Sequence, residues 1–171
     1  MDENFKNKIV GFRGDIGKKW LEDLPEIIKQ YEQEWNLKVF PPYKLSYNYV
    51  VPAKTSEGED VVIKISFPDN DEFEAEIEAL KFYDEVAAIK VLKEDLKNGV
   101  VLLEKATPGQ KARDITPETE QIHIVSGVIK KLHKPVPLIM FFPFKTISEW
   151  AEAFDRYKEK YSLNSGPILK W

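Results

Sequence analysis

The chain has 171 residues and a mass of 19.9 kDa, with 43% hydrophobic and 12% aromatic residues, which suits one domain, or one domain with part of a second, around a real core. Its net charge of −4 and pI near 5.4 argue against a general nucleic-acid binder, which needs a basic face. Cysteine is absent, which removes disulfides, thiol nucleophiles and cysteine metal sites, and two histidines, His123 and His133, do not make a histidine-rich one.

The polar opening, MDENFKNK, lacks the apolar centre of a secretory signal, and the longest nearly apolar run, Pro137–Phe144, is too short to span a bilayer. A cytoplasmic protein is expected, with neither a membrane nor a nucleic-acid partner. Trp20, Leu21, Leu24, Ile27, Ile28, Tyr31 and Trp35 recur at helical spacing and predict a helix pair over 15–36. Pro25 starts or kinks a helix, so the pair is broken near Asp23. Asn36 stops the second helix, and Pro41-Pro42 makes an extended linker.

Leu45, Tyr47, Tyr49 and Val51 alternate with Ser46, Asn48 and Val50, which predicts a first strand region over Leu45–Thr55, bending near Ser46–Asn48 into a second strand. Ser56-Glu57-Gly58-Glu59 reads as a hairpin loop and Asp60–Phe67 as the next strand. The segment from Pro68 to Asp71 ends that strand and caps a helix over Glu72–Asp84, with Phe73, Ile77, Leu80 and Tyr83 on one stripe. Ala88–Leu92 and Val100–Glu104 read as two more strands, joined by Lys93–Gly99 with the turn signal Asn98-Gly99. Short connections in the order strand, strand, strand, helix, strand, strand favour an α+β fold: an antiparallel sheet with one packed helix.

From Pro108-Gly109 onward the chain reads as helical. Thr116 caps and Pro117 begins a helix with Ile122, Val125, Ile129 and Leu132 on its apolar face. Leu138–Phe144 is apolar and broken by Pro143, and Ser148 caps a last helix carrying Trp150, Phe154, Tyr157 and Tyr161. Asn164–Pro167 forms a turn before the apolar end Ile168–Trp171. The four tryptophans read as core.

Lys64 lies in the middle of an apolar strand. A buried ammonium without a partner is costly, so this lysine either faces solvent or has an anionic partner. At about 100° per residue, Glu76 falls inside the apolar stripe of the next helix, between Leu80 and Tyr83, while Glu74 and Glu78 point away. Glu72 is the second choice. An exposed strand lysine and an ordinary surface glutamate are the competing readings. The succession of strand lysine, capped helix and inward glutamate favours the pair, which would hold the lysine against the α- and β-phosphates of a nucleotide. Glu104-Lys105-Ala106 follows the last strand; a linker there offers backbone groups to an adenine edge, and a plain strand end is the alternative. His133 suits a helix-end cap and His123 a surface position. Asp114 and Asp155 have no companion suggesting a base or a metal ligand.

Six segments in succession carry a family resemblance: Asn48-Tyr49-Val50-Val51-Pro52, Val62-Ile63-Lys64-Ile65, residues 74–84 (EAEIEALKFYD), Ala88-Ile89-Lys90-Val91-Leu92, residues 100–109 (VVLLEKATPG) and residues 130–135 (KKLHKP). Their order and spacing resemble the aminoglycoside phosphotransferases, in particular the streptomycin and hydroxyurea phosphotransferases, over residues 15–137. The resemblance implies a protein-kinase-like small lobe over 1–104: a five-stranded antiparallel sheet with one packed helix, preceded by a helix pair. It implies a hinge and the first helices of an incomplete large lobe over 105–171. Lys64 would be the phosphate-binding lysine and Glu76 its helix partner. Ser46–Tyr49, including Ser46 and Asn48, would be the loop above the phosphates, with Glu104 and Ala106 as hinge positions meeting adenine through their backbone.

The chain also departs from that family. No glycine occurs in Ser46–Tyr49, and Glu85 stands where the family usually has glycine. The His-Gly-Asp catalytic loop and the later magnesium-holding aspartate do not occur, so the base and the metal ligands are expected beyond Trp171. The resemblance therefore implies an ATP-dependent kinase of a small-molecule hydroxyl, on a streptomycin-type aminoglycoside or hydroxyurea, seen as an N-terminal portion inactive by itself, with Mg2+ bound only in the complete protein. Two other readings stand beside it. One is a non-catalytic lobe that binds a nucleotide or a partner and self-associates through its apolar end. The other is a structural α+β domain whose lysine–glutamate pair is accidental.

Overall fold

Helix α1 spans Glu3–Glu34 and opens on Asp2, whose carboxylate accepts from the Asn4 amide at 3.0 Å. This computed structural model describes residues 2–68, 70–83, 86–133, 135 and 146–161, the last segment with side chains through Tyr157. The expectations for Glu85, for Leu138–Phe144 and for everything after Tyr161 lie outside the described residues.

The break in α1 falls at Gly14 (φ 57°, ψ −134°), a backbone conformation suited to glycine, and not near Asp23. The second arm runs unbroken through Pro25, which is exposed, so the carbonyl that loses its amide partner can be hydrated. Burial of Trp20, Leu24, Tyr31 and Trp35 along one face holds that arm straight against the loss. The polar opening is helical too, because Phe5 and Ile9, one turn apart, are core residues. The arms touch backbone to backbone: a side chain on Gly17 would lie 2.7 Å from the Ile9 carbonyl oxygen.

Asn36, at φ 53°, turns the chain into β1, Leu37–Val39, which the Glu32 carboxylate ties down by accepting from the Val39 amide at 2.7 Å. Strands β2 (Tyr49–Thr55), β3 (Asp60–Ile65), β4 (Val91–Asp95) and β5 (Val100–Glu104) complete a five-stranded antiparallel sheet in the order β1-β2-β3-β5-β4. The α+β class and the antiparallel sheet of five strands follow the sequence reading, but two strands move. Residues 45–48 are a loop and not a strand, because the chain before them already occupies the edge of β2: the Phe40 and Tyr43 amides donate to the Pro52 and Val50 carbonyls at 2.9 and 3.1 Å. Strand β4 starts at Val91, not Ala88, and runs on to Asp95, because β5 pairs with it through to Val100 across an irregularity between Val91 and Lys93.

Helix α2, Asp71–Phe82, joins β3 to β4, and the Asn70 side chain caps it by accepting from the Glu72 amide at 3.2 Å. Val61, Ile63 and Ile65 of β3 pack with α1, whereas Val62 packs with Phe73 and Ile77 of α2 and with Val101 and Leu103. The central strand thus meets α1 on one face and, over part of its width, α2 on the other, which is why it reads as almost continuously apolar. Helix α3, Glu118–Leu132, starts after Pro117 with no side-chain cap, so the expected Thr116 cap is not formed.

Residues 139–171 form a second compact unit, described through helix α4, Ile147–Tyr161. Its cap is Thr146, not Ser148. The Thr146 hydroxyl accepts from the Glu149 amide at 3.2 Å, and the Glu149 carboxylate accepts from the Thr146 amide at 2.6 Å. Trp20 and Trp35 are buried as read, but Trp150 is exposed. Among the described residues no buried side-chain nitrogen or oxygen lacks a hydrogen-bond partner, and no helix is long and apolar enough to cross a membrane.

Two consequences can be measured. Gly99, in the β4–β5 turn, has φ 68°, and a Cβ there would lie 2.8 Å from the Ser66 carbonyl oxygen. Gly99→Ala is expected to lower stability by about 1–2 kcal/mol from the left-handed backbone alone, read as an earlier urea midpoint; an unchanged midpoint would mean that the turn relaxes freely. Asp95 accepts from the Asn98 side chain at 2.8 Å and from the Tyr31 hydroxyl at 2.7 Å, and these bonds, Asn98 first, hold its carboxyl below the ordinary value of 3.8. A depressed carboxyl stabilises the fold above its unfolded pKa and stops doing so as pH falls through its folded value. The urea midpoint of Asp95→Asn should therefore trail the parent's at pH 7, with the gap closing below pH 3.8; a gap independent of pH refutes this account.

Candidate functional site

Strand β3 places Lys64 between Val50 of β2 and Val101 of β5, on the face that α2 covers. The side chain is 14% exposed, and its Nζ donates to both carboxylate oxygens of Glu76 at 2.5 Å. The Phe73 ring lies 5.9 Å from the same Nζ. Of the two readings open for this lysine, the structure takes the paired one. Glu76 sits between the buried Phe73 and Ile77 on α2, yet its side chain is 42% exposed. The pair is closed on the lysine side and open to solvent on the carboxylate side. Glu72, the second choice, stays exposed in the first turn and does not reach Lys64.

Glu104 ends β5 opposite Val61, three positions from Val101 and so roughly 10 Å along the strand from the level of Lys64. Its amide donates to the Lys90 carbonyl at 2.9 Å, and its carboxylate accepts from the Lys90 amide at 3.1 Å. Ala106 lies two residues on, and among the described residues nothing hydrogen-bonds its amide or carbonyl. Lys105 reaches back to Asp60 at 3.1 Å; Lys54, with Lys105, holds that exposed carboxyl below its ordinary range. Between the two ends, Val50, Pro52 and Val62 share the parity of Lys64 and remain half-exposed, because α2 lies over the β4–β5 half of this face. They form an apolar strip from the Lys64 level towards Ala106, a feature that the alternation along β2 and β3 could have supplied from the sequence.

Ser46 and Asn48 lie in the loop entering β2, at the Lys64 end of the strip, since Tyr49 pairs with Ile65. Ser46 is exposed and Asn48 half-buried, and neither hydrogen-bonds the Lys64–Glu76 pair. The structure thus joins Lys64 to Glu76, sets Ser46 and Asn48 at one end of the strip and Glu104 and Ala106 at the other, and forms no hydrogen bond between these groups. His133 is the C-cap of α3, its amide donating to the Ile129 carbonyl at 3.0 Å, and His123 is exposed. A separate cleft of about 260 Å³ lies on the α1 side, against Trp20, Tyr31 and Phe67, and involves none of the site residues.

The sequence matches the model of the aminoglycoside/hydroxyurea antibiotic resistance kinase family over residues 40–165, a span from the end of β1 through α4. The match begins later and ends later than the 15–137 covered by the resemblance. A hydroxyurea phosphotransferase of Kitasatospora aureofaciens is 24% identical over 124 residues, which take in 71% of this chain and 36% of that protein. The chain spans about a third of the length of the curated relative it matches. With the family match covering most of the sheet, α2, α3 and α4, the chain belongs to the aminoglycoside/hydroxyurea antibiotic resistance kinases.

Proposed function

We propose that this chain is the nucleotide-holding part of an ATP-dependent phosphotransferase acting on a hydroxyl of a small molecule, hydroxyurea or a streptomycin-type aminoglycoside. The observation that carries the proposal is the Lys64–Glu76 ion pair on the α2 face, in a chain of this kinase family. The strand order and the placing of α2 between β3 and β4 support reading residues 1–104 as a kinase-like small lobe, and 105–171 as the hinge and first helices of a larger one. The relative's name supports hydroxyurea as one acceptor.

The residues present fit a nucleoside triphosphate. Lys64 supplies a positive charge whose direction Glu76 sets, so that it can meet α- and β-phosphate oxygens. Val50, Pro52 and Val62 offer an apolar surface to a planar base, and the open backbone of Ala106 offers its edge a donor and an acceptor. Ser46 and Asn48 would cover the phosphates from the loop into β2, and Glu104 sets the hinge through its bonds to Lys90. ATP supplies the transferred phosphoryl group. Among the described residues no three acidic or histidine side chains converge.

A second reading, a non-catalytic module that binds nucleotide or a partner, is favoured by the exposed apolar faces of two helices. Ile122, Val125 and Ile129 are exposed on α3, and Trp150 and Phe154 on α4. Self-association through such a face belongs to that reading.

Titration calorimetry with ATP separates the two. Lys64→Ala should weaken ATP binding about tenfold or more, the loss of a charge-assisted contact, with the helical circular dichroism signal unchanged. Equal affinity in parent and variant would remove Lys64 from the site. Absence of ATP binding together with concentration-dependent sedimentation would favour the second reading.

A further inference from the structure

We propose that the turn between the two arms of α1 is a positioning element for the phosphate end of the nucleotide site. The proposal rests on the reading of Lys64 given above and adds residues that lie ahead of the family match, which starts at residue 40.

The bend at Gly14 leaves Phe12 and Arg13 at the end of the first arm. The Phe12 ring meets the Tyr47 ring edge-on, with centroids 6.4 Å apart and planes at 65°. The Arg13 guanidinium lies 4.9 Å from the centre of the Phe67 ring and 5.4 Å from that of Phe12. Phe67 in turn stacks on Trp20 at 4.5 Å. One turn of chain therefore rests on both the loop entering β2 and the segment leaving β3. These are the two strand ends beside Lys64, which pairs with Val50 while Tyr49 pairs with Ile65.

The contact is not part of the core. Phe12 is 71% exposed and Tyr47 62% exposed, so neither ring is needed to fill the interior. What the contact does is hold a loop. Tyr47 meets Phe12, and Tyr49 meets Phe5 at 6.5 Å, so the chain on either side of Asn48 is fixed from the α1 side. That loop contains no glycine, so it lacks the backbone freedom to wrap phosphates unaided. Bracing from behind takes the place of that freedom. Ser46 and Asn48 are kept at the height of Lys64 before any nucleotide arrives, which reduces the ordering cost of binding.

The test uses Phe12→Ala and the conservative Phe12→Tyr, with two readouts. The first is amide exchange in the nucleotide-free protein at Tyr43, whose amide closes the base of the loop on the Val50 carbonyl at 3.1 Å, and at residues 44–48. The second is the ATP dissociation constant, with Lys64→Ala as control. Loss of one aromatic contact should speed loop exchange and weaken ATP each by about three- to tenfold. Phe12→Tyr should restore both, and the circular dichroism spectrum should match the parent's in both variants. Parent-like exchange in Phe12→Ala, or faster exchange with ATP affinity unchanged, overturns the positioning role even if Lys64→Ala loses ATP. If the parent itself fails to bind ATP while Phe12→Ala still loosens the loop, the contact stands and the nucleotide reading falls.

Discussion

A lysine ammonium in the middle of a strand that meets a helix on each face must be neutralised where it lies, and much of the molecule is arranged by that demand. Water reaches little of the Lys64 side chain, and burial of an unpaired charge is among the costliest things a fold can contain. The neighbouring strands supply valines, so the counter-charge has to come from the helix above. This fixes the phase of α2, which must turn Glu76 to the sheet while keeping Phe73 and Ile77 buried beside it. The phase is set in turn by where the helix starts, and its start is tied to the end of the same strand.

That tie is Ser66, a fully buried polar residue two positions after Lys64. Its amide donates to the Gly99 carbonyl at 2.8 Å, its own carbonyl accepts from the Trp20 indole at 3.2 Å, and its hydroxyl accepts from the Asn70 amide group at 2.9 Å. The β4–β5 turn, α1 and the cap of α2 therefore meet at one residue. Gly99 can approach only because it has no side chain, and Asn70 both caps α2 and holds Ser66. The ion pair is local in sequence, twelve residues from lysine to glutamate, but its geometry depends on three elements brought in from elsewhere.

The same division explains what could be read beforehand. The lysine, the capped helix and the inward glutamate lie within one short stretch where periods of 2 and 3.6 both apply, and the structure places them accordingly. The strip beside them obeys the strand period as well. Strand β1 is three residues, Leu-Lys-Val, too short for any period to register, and it forms because Asn36 turns the chain and β2 offers an edge. Pro25 is the stronger breaker on paper, yet Gly14 bends α1, because tertiary burial along the second arm outweighs one lost backbone bond. The Thr146 cap was in plain view as Thr-x-x-Glu, with Ser148 a nearer but wrong choice. The apolar stripes of α3 and α4 are real, but a stripe says only that a helix calls for cover. It does not say that the cover lies within the same described residues.

The openness of the ion pair bears on what it is for. A pair that served only to join β3 to α2 would be poorly chosen, since apolar side chains of similar volume usually stabilise an interior as well or better. Phe73 and Ile77, already on that face, show that the helix has such residues to use. Glu76, by contrast, keeps a large part of its side chain in water, so the pair is closed on the lysine side and open on the carboxylate side. Under the nucleotide reading proposed above, a polyphosphate would approach from the open carboxylate side, with Glu76 holding the ammonium in place to meet it. Screening by solvent keeps the pair's own contribution to stability small. A weak, directed and half-open pair suits the holding of a ligand better than the holding of a fold.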